Sequence, residues 1–255
     1  MQYELQTSAQ ELIKIKTFGM GERGINAVNH MQASTVKCVD FFVYTPKKNS
    51  YNLESDLLFL VADINDSLIM KNFLSFAKHA KELNILTVAI IITDFSIDNQ
   101  TELEQYTDSL IVISDKKDKQ VNELTLDIVR GISDLITQQS LIGFDYADME
   151  TIIKDGGLGI VGTGTSSGKH RAIEAVENAI SSLKYRSLLS VKRILVNISA
   201  ADIELFEIDE IGNSIQNFVS AETIEKIGIT VNESLGDTIK VTILATRINL
   251  LSSPD

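Results

Sequence analysis

Short β-branched apolar runs alternate along this chain with longer stretches whose apolar positions recur at three- and four-residue spacing. That alternation predicts an α/β fold with a largely parallel sheet. Ile13–Phe18 reads as a strand and Glu22–Ala33 as a helix opened by glycines, while Cys38–Thr45 reads as a second strand closed by Pro46. Asp56–Ala62 and Leu86–Ile92 are uninterrupted apolar runs, which central strands need when both faces are covered. Between them Ile69, Phe73, Phe76, Ala77, Ala80 and Leu83 recur at helical spacing, and Ser109–Ile113 is a further short buried strand.

Lys119–Gln138 is a long helical segment with Leu124, Ile128, Ile132, Leu135 and Ile136 on one face and only Gly131 as a breaker. An aspartate-rich loop, Ile142–Asp148, follows. Beyond it the pattern predicts strand Leu158–Gly162, helix Ala172–Lys184, strand Arg193–Ser199, helix Glu207–Val219 and strands Glu225–Val231 and Thr238–Thr246. Two α/β subdomains joined by a central helix are therefore expected: residues 1–118, a helix over 119–139, and 140–249, with a short tail at 250–255.

Composition narrows the function. The formal net charge of −12 argues against nucleic acid or an anionic membrane surface as a direct partner, because both require clustered Lys and Arg. The longest apolar runs, Leu57–Ala62 and Ile85–Ile92, fall well short of the roughly 20 residues that span a bilayer. The opening MQYELQTSAQE is polar and acidic, unlike a signal peptide. A single cysteine, Cys38, lies in an apolar stretch and is expected to be a buried thiol in a reducing, cytoplasmic setting. His30, His79 and His170 lack metal-ligand spacing, so no metal site is expected.

Three constellations could carry chemistry. Gly19-Met-Gly-Glu-Arg-Gly24 is formally GxGxxG between a strand and a helix, and Asp40 lies about where a dinucleotide fold places its ribose-binding acid. Glycines there let backbone N–H groups approach a phosphate, although a tight strand–helix turn with no ligand uses glycine as well. Gly162–Lys169 imitates a P-loop but has Thr163 where the first glycine belongs and His170 in place of the metal-binding Ser/Thr, so it reads as a strand running into a helix cap. In Gly143-Phe-Asp145-Tyr-Ala-Asp148 two carboxylates three residues apart can share a magnesium or polarise a water; equally, Asp145 can cap a helix with Asp148 near its positive end.

Taken together these segments resemble FtsZ, of the tubulin/FtsZ superfamily. The resemblance runs through Gly19–Asn29, Val39–Phe42, Glu82–Ala89, Gly131–Thr137, Phe144–Met149, His170–Ser182, Leu195–Ser199 and Glu233–Thr246, nearly the whole chain. It implies a mostly parallel GTP-binding subdomain, a central helix and a smaller α/β C-terminal subdomain. It also implies subunits stacked head to tail, the synergy loop of one completing the GTPase site of the next. The family's first phosphate loop falls on Gly19, Gly21, Gly24 and Asn26, with Glu22 and Arg23 replacing glycines; its synergy-loop aspartates fall on Asp145 and Asp148, with Gly143 in place of an asparagine; a guanine-contacting acid falls on Glu123.

The departures bear on function. Aligned without gaps from Asp56 to Leu83, the family's glycine–threonine signature loop falls on Asn65-Asp-Ser-Leu-Ile-Met-Lys71, without a glycine. Leu68, Ile69 and Met70 are expected to obstruct a phosphate, Asp63 and Asp66 to repel it, and Asn65-Asp66-Ser67 to cap the helix Leu68–Leu83 instead. The chain is also shorter than FtsZ between Pro46 and Asp56, the ribose-contacting Glu and Arg are replaced around Asp98–Gln100, and only eight residues follow Arg247. The expectation is a contact protein that caps or modulates FtsZ-type filaments, meeting FtsZ or itself head to tail, with no bound cofactor. The alternatives are a reduced GTPase that holds GTP and Mg and is completed in trans by Asp145 and Asp148, and a filament that assembles without nucleotide. A dinucleotide enzyme leaves the second half unexplained.

Overall fold

The structure is a computed structural model and describes residues 13–34, 36–45, 51–94, 100–114, 117–138, 140–183 and 191–247. Pro46, Asp98, Asn99 and the tail after Arg247 lie outside the described residues.

Seven helices and ten strands alternate among the described residues. The first half contains β1 (Ile15–Met20), α1 (Gly21–Ala33), β2 (Val39–Val43), β3 (Leu57–Asp63), α2 (Ser67–Glu82), β4 (Leu86–Thr93), α3 (Gln100–Tyr106), β5 (Ser109–Ser114) and the long α4 (Asp118–Thr137). The second contains β6 (Ser140–Ile142), α5 (Tyr146–Ile153), β7 (Gly157–Ser167), α6 (Arg171–Ser182), β8 (Arg193–Ala200), α7 (Leu205–Gln216), β9 (Ile224–Val231) and β10 (Thr238–Thr246).

The strands form one sheet in the order β2-β1-β3-β4-β5-β7-β10-β8-β9-β6. From β2 to β5 every pairing is parallel. The 11-residue β7 is the join: its first three residues pair parallel with β5, and Ile160–Ser167 pair antiparallel with β10. This is the mostly parallel α/β architecture that the periodicity predicts. β7 reaches Ser167, five residues past the predicted strand end, so the P-loop imitation lies largely inside a strand.

Alternation explains the fully apolar central strands. In β3, Leu57, Phe59 and Val61 pack into the core shared with α1 and α4, whereas Leu58, Leu60 and Ala62 pack into the core beneath α2. β4 divides the same way, with Val88 and Ile90 on one face and Ala89 and Ile91 on the other. A third cluster, drawn wholly from residues 172–245, fills the space between α6, α7 and the second half of the sheet. Beside it the buried Arg171 meets the buried Glu207 through Nε–Oε1 at 2.7 Å and Nη2–Oε2 at 3.0 Å.

Two elements and one burial assignment differ from expectation. α3 and β6 carry no readable apolar period: α3 is anchored by the fully buried Leu103 among otherwise polar neighbours, and β6 is a three-residue edge strand. Cys38 is exposed rather than buried, because it sits with φ +58 on the turn into β2, the outer edge of the sheet.

Candidate functional site

The glycines of the first constellation sit where β1 turns into α1. Gly21 has φ +69, and a Cβ there would lie 2.6 Å from the carbonyl oxygen of Asp63. A Cβ on Gly24 would lie 2.6 Å from the Val61 carbonyl, and one on Gly19 would lie 2.7 Å from that of Gly24. Each glycine is therefore required by contact of the turn with β3 or with its own helix. Asn26 is exposed on α1.

Because β1, β3 and β4 run parallel side by side, their C-terminal ends and the segments that follow them meet at one edge. Arg23, on the first turn of α1, spans that edge. Its Nη1 donates to Asp94 Oδ1 at 2.8 Å just beyond β4, its Nε stands 3.1 Å from Asp118 Oδ1 at the start of α4, and its side chain is 13% exposed. Asn65 continues the network, donating from Nδ2 to Asp94 and accepting at Oδ1 from the Asp94 N–H. Asp63 Oδ2 accepts from the Arg23 N–H at 3.4 Å. Asp66 caps α2, accepting from the Leu68 N–H at 2.7 Å. Only Leu68 of the expected apolar obstruction projects to solvent; Ile69 and Met70 turn inward against the core beneath α2, since a helix begun at Ser67 places them on its buried side.

Asp145 and Asp148 lie beyond the other end of α4. Asp145 is the N-cap of α5: its Oδ1 accepts from the Asp148 N–H at 2.8 Å, and Asp148 Oδ2 accepts in return from the Asp145 N–H at 3.4 Å. Asp148 Oδ1 receives Lys226 Nζ at 2.5 Å. The Lys226 hydrogen bond holds the Asp148 carboxyl below the usual carboxylate range. The capping alternative for this pair is thus realised in the chain by itself.

The predicted site residues fall in two places. Gly19, Gly21, Gly24 and Asn26 belong to the edge spanned by Arg23, whereas Asp145 and Asp148 follow the far end of α4, whose 20 residues extend about 30 Å. Glu123, near the start of α4, has Oε1 at 3.5 Å from His30 Nε2 and lines a hollow with Leu124, Val161 and Thr163. No group of three or more His, Cys, Asp or Glu placed to hold a metal occurs among the described residues. Asp94, Asp118 and Lys226 were not legible as site residues: each comes from a remote segment with no motif around it.

The model of the FtsZ family, C-terminal domain, matches residues 157–249. The cell division protein FtsZ of Buchnera aphidicola (subspecies of Acyrthosiphon pisum) is 30% identical over 310 positions, covering 94% of this chain and 81% of that protein. The chain belongs to the FtsZ family. The FtsZ of Coxiella burnetii is 27% identical, covering 96% of this chain and 82% of its own length. An alignment of 310 positions exceeds the 255 residues here, so that FtsZ carries segments this chain lacks. Among solved structures, an FtsZ dimer of M. jannaschii superposes with TM-score 0.80 at 20% identity, covering 97% of this chain and 96% of that one. TubZ of Bacillus thuringiensis serovar israelensis, in GDP-form protofilaments, gives TM-score 0.65 at 9% identity. The tubulin/FtsZ-like fold follows. No described helix is long and apolar enough to cross a membrane.

Proposed function

We propose that this chain takes part in FtsZ-type filament systems of cell division by subunit contact and does not cycle GTP itself. The observation that carries the reading is Arg23, whose guanidinium bridges Asp94 and Asp118 across the edge where the resemblance places a nucleotide. Residues there do not fit a triphosphate. Four carboxylates lie along that edge: Asp94 and Asp118 on the Arg23 guanidinium, Asp63 on the Arg23 backbone N–H and Asp66 on the Leu68 N–H, and negative charge gathered there opposes a polyphosphate. The N-terminus of α2, where glycines would cradle phosphate oxygens, is capped by Asp66.

Contact is supported by what the other end keeps. The loop of Asp145 and Asp148 is held against β9, and Leu141 and Ile142 beside it are exposed. On this reading the loop docks on the nucleotide face of an FtsZ subunit, or of a second copy, and the chain offers no nucleotide to the next subunit, so a filament ends or shortens there. Co-sedimentation and light scattering with a polymerising FtsZ test it. Binding with shortened polymer is expected, and no change at equimolar ratio would sink the idea.

One observation favours a reduced GTP-binding protein: Met20, the N-cap of α1, supplies no side-chain hydrogen bond to the first amides of that helix. Isothermal titration with GTP and magnesium decides between the two readings, since the contact reading expects no heat at high micromolar nucleotide. Exposed Leu68 at one end and Leu141 at the other favour assembly of the chain with itself, which electron microscopy of the pure protein would reveal.

A further inference from the structure

Lys226 and Gly228 share one face of β9, two residues apart along the strand. At Gly228 that face receives Leu135 and Phe144: a Cβ there would lie 2.3 Å from Leu135 Cδ2 and 3.1 Å from the Phe144 ring. The segment leading into α5 is therefore pressed onto β9, and this contact brings the Lys226 ammonium to Asp148. Both carboxylate oxygens of Asp148 have donors, Lys226 on one and the Asp145 N–H on the other. Asp145 is itself engaged as the cap of α5.

We propose that Lys226 disarms Asp148, so that the loop docks on a neighbouring subunit without promoting attack on the nucleotide held there. This rests on the contact reading above, in which the loop of Asp145 and Asp148 meets an FtsZ subunit carrying GTP. In the hydrolysis concerned, water adds to the γ-phosphorus, the bond from that phosphorus to the bridging oxygen breaks, and GDP and phosphate leave. A carboxylate assists by accepting a hydrogen bond or proton from the attacking water, and its usefulness rises with its basicity and its free lone pairs. Asp148 is weakened on both counts: an ammonium at 2.5 Å offsets its charge and takes a lone pair of one oxygen, while the capping bond takes one of the other. Lys226 is thus a positioning residue that sets the loop to bind rather than activate. Both side chains are about one-third exposed, so the pair adds little to stability.

The test compares wild type, K226M and K226M/D148N as full chains. In the isolated proteins, carboxyl carbon NMR should show Asp148 titrating below the usual carboxylate range in wild type and within it in K226M; an unchanged titration overturns the proposal. Each chain is then added in excess to dilute Pseudomonas aeruginosa FtsZ loaded with GTP, and phosphate release is followed through a single turnover. Wild type should leave the rate at that of FtsZ alone, K226M should raise it about tenfold or more, and K226M/D148N should return it to the starting value. A K226M chain that co-sediments with FtsZ yet leaves the rate unchanged overturns the proposal, as does a wild-type chain that accelerates release. Failure of every chain to co-sediment overturns the contact reading, and the trans role of Lys226 with it, whatever the titration shows.

Discussion

Arg23 Nη1 lies 2.8 Å from Asp94 Oδ1 although 71 positions separate the two residues in the chain. The contact exists because β1 and β4 flank β3 in a parallel sheet, which puts the turn after one strand beside the end of the other. It holds a guanidinium across that edge of the sheet. Asp94 is 54% exposed, so the pair adds only modestly to stability. R23A is expected to lower unfolding stability by about 0.5–1 kcal/mol in urea. In a double-mutant cycle R23A and D94A should couple, because they remove one shared contact. Titration of R23A with GTP should still give no heat, since Asp94 and Asp118 remain at that edge and Asp66 still caps α2.

The buried pair Arg171–Glu207 obeys different energetics. Both side chains are under one-tenth exposed, and Arg171 also donates to the Asp237 carbonyl and reaches Asp202. Removing Glu207 takes from Arg171 its buried counter-charge and leaves it the largely exposed Asp202 and Asp237, while removing Arg171 leaves the buried Glu207 carboxylate without its cation. E207A and R171M are each expected to cost about 3–5 kcal/mol, whereas R171M/E207M should cost clearly less than either, because no unpaired charge is left behind. Urea midpoints of the three variants check the ordering. Equal losses in all three would mean that packing, not charge, dominates here.

Legibility in the sequence followed burial. Central strands β3 and β4 were readable because both faces are covered, and β10 was readable to the residue because it lies between β7 and β8. β6 and α3 were not, since an edge strand and a short polar helix leave no apolar period. Cys38 was misassigned by reading an edge strand as an interior one. At the site, local chemistry was legible: the glycine turn, Asp66 as a cap and Asp145 as a cap all act within a few residues of themselves. Arg23 with Asp94, and Asp148 with Lys226, depend on strand order, and single-sequence spacing carries no record of that.

Glycines give a graded test of the packing. Gly162 and Gly164 on β7 face α6 so closely that a Cβ would lie 2.2 Å from the carbonyl oxygens of Ala179 and Ala175. G164A must push a helix off the sheet, so a loss of about 3 kcal/mol or more is expected, in the range of severe overpacking. Gly212, inside α7, has open space around its Cβ position and ordinary φ. G212A should therefore stabilise the protein by about 0.5–1 kcal/mol, through helix propensity and a less flexible unfolded chain. Thermal unfolding of the two variants should move in opposite directions.

Asp134 on α4 supplies a pH dependence whose sign is set by burial. Desolvation pushes its carboxyl up to about 6, and Arg130, Lys37 and Lys240 only partly oppose that. A folded-state value above the unfolded one means that the folded chain binds the proton more tightly. The contribution of this group to stability is therefore complete below about pH 4 and is lost as the pH rises through about 6. At about pH 7.5 the charged carboxylate is a burden that D134N removes. D134N should melt a few degrees above wild type there, and the gap should close as the pH falls towards about 4, where both side chains are neutral. Calorimetric melting of both proteins between about pH 4 and 8 measures the convergence. A gap that stays constant across that range would show that the asparagine acts through hydrogen bonding and not through the lost charge.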